Sequence, residues 1–287
     1  MASTREIRRR IRSIRSTAQI TKAMQMVAAA KMRKAQQLAI EARPFVRSLY
    51  RIQRIATTRA TDFVHPLLEA RAVRTRAVIL VATDKGLCGA LNANLFRLAS
   101  RYDAESTLFV TAGRKAAQFV AQTRRRLVAE FPYGDTPQFS ESRAIAALAR
   151  DLFETGKVDA VDVVAARFVN TLEQEPVALE LLPIGDIKGI EVPGLPPGAA
   201  ASDTTEYVFE PHADDIITYL IGHYLNIFIH VVLLNAKASE QSARMVSMQT
   251  ASDSAAEIIR DLTLEYNKLR QGRITQELLE IAGGASA

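Results

Sequence analysis

The chain has 287 residues, 48% of them hydrophobic, with a formal net charge of +6, no Trp and one Cys. That is enough chain for one large domain or two small ones. The single Cys88 excludes an internal disulfide and fits a reducing compartment, and no uninterrupted apolar run reaches ~18 residues, so no segment reads as a membrane span.

The nearest to such a run, 216–236, is interrupted by His223, Asn226, His230 and Asn235. The N-terminus is charged from Arg5 onward and lacks the apolar core of a secretory signal. An Arg-rich, acid-poor start also resembles an organelle transit peptide, but the apolar stripe that begins there runs well beyond transit length. Charge is concentrated in residues 1–54, where fourteen Lys or Arg face only Glu6 and Glu41, a local net of +12. Such a field favours an acidic protein partner, a nucleic acid or an anionic surface.

The first element is a long helix. Ser3 or Thr4 can cap it, and Glu6 sits in its first turn. Steps of three and four link Ile7, Ile11, Ile14, Ala18, Thr21, Gln25, Ala28, Met32, Ala35, Ala39, Ala42, Val46 and Leu49. A second stripe, Ile20, Met24, Val27 and Leu38, lies beside it. Pro44 is a site for a kink or a break.

The periodicity then changes. Ala77–Ala82 is a short apolar, β-branched run, read as a buried strand. A turn, DKGLCGALNAN (84–94), and a helix over 94–102 follow. Further strands are expected at 107–111, 160–165 and 177–183, and helices at 115–122 and 143–153. Alternating strands and helices imply a mostly parallel α/β sheet. Residues 185–202, rich in Gly, Pro and Ala, read as a linker.

From Ile217 to the end a second stripe repeats: Leu220, Tyr224, Ile227, Val231, Leu234, Ala238, Gln241, Met245, Met248, Ser252, Ala255, Ile259, Leu262, Tyr266 and Leu269. A strict seven-residue repeat keeps one seam facing one partner and supercoils the helix. The economical partner is the N-terminal helix, giving an antiparallel coiled coil; the competing reading is a plain amphipathic bundle. The repeat falters at Gly272 and restarts, out of phase, at Ile274, Leu278 and Ile281. The expected layout is therefore α/β: a long antiparallel coiled coil of the terminal helices (1–60 and 211–287) with an inserted Rossmann-like domain (61–210).

Catalytic chemistry is thin. The four His are scattered, no spacing suggests a metal, and there is no P-loop. Gly86 and Gly89 after a strand read as a tight turn rather than a dinucleotide loop, and Cys88 as a buried structural thiol. Two clusters stand out. In one, around Lys22, Met24 and Lys31, a Met-rich face meets a basic edge. In the other, Asn267–Glu277, amide and charged groups collect where the repeat fails.

These residues resemble a known family, the γ subunit of F-type ATP synthase. The stretches REIRRRIRSIRSTAQITKAMQMVAAAKMRKAQ (5–36), DKGLCGALNAN (84–94), FVNTLEQEPVALELLPI (168–184), ASEQSARMVSMQTASDSA (238–255) and YNKLRQGRITQELLEI (266–281) are similar to its signatures and span nearly the whole chain. The resemblance implies a central-stalk rotor that transmits torque between the membrane c ring and the catalytic α/β ring, with ε as a further partner. It implies no cofactor, no metal, no nucleic acid and no catalytic residue in this chain, because the nucleotide sites belong to α and β. The location it implies is peripheral to the membrane, on the cytoplasmic face of the bacterial inner membrane. Residue by residue, it implies β-subunit contacts at Lys22, Met24, Arg270, Gln271 and Thr275. It also implies a helix–helix polar cluster at Glu240, Gln241 and Arg244, and a foot on the c ring at Tyr207 and Glu210. Departures from the usual pattern fall at Ala90, Gln249, Ser252, Leu269 and Gly272-Arg273. The competing function, a basic coiled coil binding nucleic acid, lacks aromatic residues interleaved with its arginines.

Overall fold

The computed structural model describes residues 4–59, 65–184 and 213–284, with side chains over 4–38, 40–41, 65–184, 218–276 and 278–279. Helix α1 runs Thr4–Arg59, continuing through Pro44. A 3-10 turn, Pro66–Leu68, leads into the α/β part: β1 (Arg76–Val81), α2 (Leu91–Ala99), β2 (Thr107–Ala112), α3 (Arg114–Gln122), β3 (Arg126–Phe131), α4 (Phe139–Glu154), β4 (Ala160–Phe168) and β5 (Gln174–Leu182). Helix α5, Ala213–Gly284, closes the chain. The α/β class and the two long terminal helices are those expected from the sequence.

The five strands form one sheet in the order β3-β2-β1-β4-β5. Pairing is parallel from β3 through β4 and antiparallel between β4 and β5. Sequence periodicity missed β3. It is an edge strand with no buried residue, Arg126, Leu127, Val128 and Glu130 being exposed and Ala129 and Phe131 half-buried, so Arg126 and Glu130 hide the apolar signal that a central strand displays. The central strands β1 and β4 are almost wholly buried. The strands expected at 77–82, 107–111, 160–165 and 177–183 correspond to β1, β2, β4 and β5.

The chain divides into two compact units, one of 1–29 with 244–287, the other of 30–243. The second unit takes in more than the inserted strands and helices, because the first half of α5 belongs to its core. Ile221, Leu225, Phe228, Val232 and Leu233 join the same buried cluster as Ile79, Val110, Ile145, Phe153 and Val163. Over this stretch α5 is buried on all sides rather than along one seam. A window of α5 reaches the mean hydropathy of a membrane span (1.4), yet 67% of it is buried inside the protein. Burial of this kind explains its composition without a membrane.

In the other unit, α1 and α5 pair antiparallel. Arg8 donates a hydrogen bond to the Tyr266 hydroxyl and lies over its ring. Gln25 donates to the Gln249 side chain. Seventeen residues up α1 thus correspond to seventeen residues down α5, a constant register. The buried and half-buried positions of α1 are Ile7, Ile11, Ile14, Ala18, Thr21, Gln25 and Ala28, with Met24 and Ala29 beside them. Those of α5 include Met248, Ser252, Ala255, Ile259, Leu262, Tyr266 and Leu269. Both sets follow the three-four spacing read from sequence. The neighbouring stripe fares differently: Ile20 and Val27 are exposed.

Candidate functional site

The end of the pairing is set by arithmetic in the register. From Arg8 opposite Tyr266, four residues back along α1 lead to Thr4, and four forward along α5 lead to Arg270. Beyond Arg270 no described residue of α1 is left to pair. Residues 270–276 are all exposed, and α5 continues to Gly284. Ile274, Leu278 and Leu279 stand in the open, alongside Arg270, Gln271 and Thr275. The Thr275 hydroxyl donates to the Gln271 carbonyl one turn below (3.0 Å). Its proton is therefore held by its own helix, and its lone pairs and the Gln271 amide remain for another molecule. An exposed helix face carrying both large apolar and hydrogen-bonding residues is a candidate interaction surface.

Lys22 is exposed on α1 and Met24 is half-buried beside it. Below them, Arg8, Arg9, Arg10, Arg12 and Arg15 project outward, with Glu6 making one exposed ion pair to Arg10. Tyr207 and Glu210 lie outside the described residues.

Glu240, Gln241 and Arg244 are buried. Glu240 accepts from Lys237 at 2.9 Å, and Lys237 is itself only 2% exposed. The Lys237 ammonium also lies 4.4 Å from the Tyr133 ring centroid. The Tyr133 hydroxyl donates to the carbonyl of Ala82, one residue past β1 (3.0 Å). Burial pushes the Tyr133 phenol well above its ordinary range, with Glu240 adding to the effect. The sequence reading missed Lys237 and Tyr133. The signal was a lysine set within an apolar helix, three residues before a glutamate.

This hub occupies a telling place. In open α/β sheets a ligand crevice forms beyond the carboxyl ends of the strands where the strand order reverses, here between β1 and β4. That position is filled by α5. The Ser239 hydroxyl donates to Ala166 at the end of β4 (3.3 Å), and the Ser242 hydroxyl to Thr171 just beyond it (2.7 Å). Ala243 packs into the cluster around Cys88, Leu91 and Leu95. The DKGLCG turn is held shut over itself: Asn92 donates to the Thr83 hydroxyl, which donates to the Lys85 carbonyl. Leu87 and Gly89 take positive φ angles of 63° and 57°. The glycine pair is thus the tight turn that the spacing suggested, and Cys88 is buried.

A family model described as ATP synthase matches residues 3–287. The ATP synthase gamma chain of Opitutus terrae is 44% identical, covering 100% of this chain and 99% of that one. That of Methylacidiphilum infernorum is 42% identical, covering 98% of each. Among solved structures, the Euglena gracilis mitochondrial ATP synthase in rotational state 3 (OSCP, F1 and c ring) contains a chain that aligns with a TM-score of 0.64. That chain is 19% identical, and the alignment covers 99% of this chain and 93% of that one. The central stalk and c ring of the Tetrahymena thermophila mitochondrial enzyme gives a TM-score of 0.59 at 22% identity, covering 81% and 99%. At these identities the structural likeness speaks for the fold.

Proposed function

The chain belongs to the ATP synthase gamma-chain family, and we propose that it works as the torque-carrying shaft of that machine, its paired helices stiffening the rod and its unpaired tip turning inside the catalytic ring. A gamma chain is non-catalytic; nucleotide chemistry resides in the β subunits. The observation that carries the reading is that, among the described residues, the helix pairing ends at Arg270 while α5 continues to Gly284, exposed at 270–276, 278 and 279.

A rod transmits torque if it resists twist and grips at both ends. Along 4–29 the grip of one helix on the other comes from Ile7, Thr21 and Ala28 in the seam, facing α5 positions such as Met248 and Ala255. At the tip, Arg270, Gln271 and Thr275 are proposed to hydrogen-bond a loop of a β subunit, with Lys22 and Met24 meeting β lower on the shaft. Exposed arginines on 8–15 supply a positive face suited to acidic β segments. Glu240, Gln241 and Arg244 are proposed as the polar lock between helices, and Tyr207 and Glu210 as the foot on the c ring. The inserted segment, 61–210 as read from sequence, is the base proposed to carry ε. Ion flow through the c ring turns the base, and the asymmetric shaft drives each β site through its states in order. The gamma chain is a peripheral part of a membrane-bound complex, and its bacterial relatives favour the cytoplasmic face of the inner membrane. Nucleic-acid binding is not favoured: the Tyr266 ring is taken up by Arg8.

The test is Gln271→Leu with Thr275→Val in the assembled complex. Each lost hydrogen bond is worth ~0.5–3 kcal/mol, so ATPase rate falls severalfold while assembly is unchanged. An unaltered rate refutes a role for these residues in coupling to β.

A further inference from the structure

We propose that a buried collar around α5 at residues 237–242, closed on one face by Tyr133 and on the opposite face by the β4–β5 hairpin, fixes the shaft helix against rotation in the base. The inference rests on the shaft reading above and names the residues through which torque passes between the sheet and α5.

The collar has two jaws. On one, the Lys237 ammonium lies 4.4 Å from the Tyr133 ring centroid and donates to Glu240 (2.9 Å). Tyr133 is anchored in turn, its hydroxyl donating to the Ala82 carbonyl just past β1 (3.0 Å). Gly113 backs the ring. A Cβ there would stand 3.3 Å from a ring carbon and 2.2 Å from the Ala82 oxygen, so only glycine lets the ring and that carbonyl close together. On the other jaw, the Ser239 hydroxyl donates to the Ala166 carbonyl of β4 (3.3 Å), and the Ser242 hydroxyl to the Thr171 carbonyl in the hairpin (2.7 Å). The Gln174 amide, at the start of β5, donates to the same Thr171 carbonyl (3.1 Å) and holds the hairpin tip in place.

The jaws face each other across the helix. At about 100° per residue, Lys237 and Glu240 centre about 160° around α5 from Ser239 and Ser242. Torque about a helix axis drives opposite faces in opposite directions, so contacts on two such faces oppose it as a couple. Lys237, Ser239, Glu240, Ser242 and Tyr133 are all buried, so a bond broken under load is not replaced by water. Upstream, α5 is held through core side chains such as Ile221, Phe228 and Leu233. Their packing opposes separation without a preferred direction, whereas hydrogen bonds weaken steeply when turned out of line. Position completes the argument. The unit that contains the sheet ends at residue 243, and α5 runs on into the other unit. The directional contacts therefore stand on the last two turns before the helix leaves the sheet.

The experiment uses the whole complex, c ring included, in sealed vesicles. ATP hydrolysis and ATP-driven uptake of protons and of sodium are read on one preparation. The parent is compared with Ser239→Ala plus Ser242→Ala, with Lys237→Met plus Glu240→Leu, and with the four changes together. Ions taken up per ATP hydrolysed are expected to fall at least twofold with either jaw opened and at least fivefold with both. Hydrolysis per complex stays within twofold of the parent. A rotor that is merely destabilised lowers hydrolysis and uptake in step and leaves their ratio alone, so the ratio separates slip in the collar from a structural role. A parent-like ratio in any variant overturns the proposal. Should the changes at Lys237 and Glu240 prevent assembly, the serine pair, which loses only two oxygen atoms, decides by the same criterion. A parent complex that hydrolyses ATP with no ion uptake overturns the shaft reading itself.

Discussion

Lys237 and Glu240 hold each other at 2.9 Å inside the α/β unit, where neither side chain is more than 4% exposed. The pair sits where a nucleotide-binding sheet of this topology keeps its crevice, and α5 fills that crevice with its own charged and hydroxyl groups. Removing one partner leaves the other charged and buried. Lys237→Met is therefore expected to cost ~3–5 kcal/mol in urea unfolding. Lys237→Met with Glu240→Leu is expected to cost less than the single change, because the orphaned carboxylate goes too. A single variant as stable as the parent would mean that the pair contributes no fixation.

Asp162 makes the second buried charge arrangement. It accepts from Arg76 (2.7 Å) and from the Tyr102 hydroxyl (2.8 Å). Burial first, and the Asp162 carboxylate next, raise the Tyr102 phenol far above its ordinary value of 10.0. A phenol raised on folding keeps its proton longer in the native state, so stability falls as pH climbs above about 10. Asp162→Asn is expected to move the Tyr102 titration back toward 10 and to cost ~2–4 kcal/mol at neutral pH through the stranded Arg76. Ultraviolet titration of tyrosine absorbance reads the first effect, and urea midpoints read the second.

His230 sets an acid-side dependence. Its Nδ1 lies 3.0 Å from the Ser142 hydroxyl, and Phe139 packs edge-on against its ring. Burial lowers its pKa from 6.5, and the Glu141 carboxylate opposes this only in part. A lowered histidine pKa means that the unfolded chain binds the proton first, so stability falls as pH drops below 6.5. His65 acts with the same sign. His230→Gln is expected to flatten, without abolishing, the loss of stability measured between about pH 6.5 and 5. An identical slope in the variant would remove His230 from the account.

The legible and illegible parts of this chain differ in physical kind. The seam was readable because packing on one partner imposes a seven-residue period on side-chain type, and Ile7, Ile14, Ala28 and Ala255 obey it. Its failure at Gly272 was readable for the same reason, and the register that ends at Arg270 explains it. The first half of α5 carried the same period but meant something else. Leu220, Tyr224 and Ile227 are buried, and so are Ile221, Leu225 and Phe228 on the other faces. One-dimensional spacing detects a seam and cannot count how many neighbours surround it. β3 was hidden by its edge position. Lys237 was hidden because its partners Tyr133 and Glu240 come together only when α5 crosses the sheet.

Ile7 and Ile274 provide a direct test of where the pairing stops. They are the same residue type on the two helices of one unit. Ile7 is 1% exposed, and Ile274 is 47% exposed. Truncating a buried isoleucine removes its packing and leaves a cavity, so Ile7→Ala is expected to loosen the helix pair by ~2–4 kcal/mol. Ile274→Ala removes little that was buried and is expected to change stability by less than ~0.5 kcal/mol. Amide hydrogen exchange along α1 residues 4–29 reports the difference, because those amides open when the pairing is lost. In the isolated chain, faster exchange for Ile7→Ala and unchanged exchange for Ile274→Ala are expected. Equal effects would place a partner on Ile274 and move the end of the paired shaft beyond Arg270. In the assembled complex the order should narrow, since a sleeve of other subunits around the tip would bury Ile274 and make its loss felt.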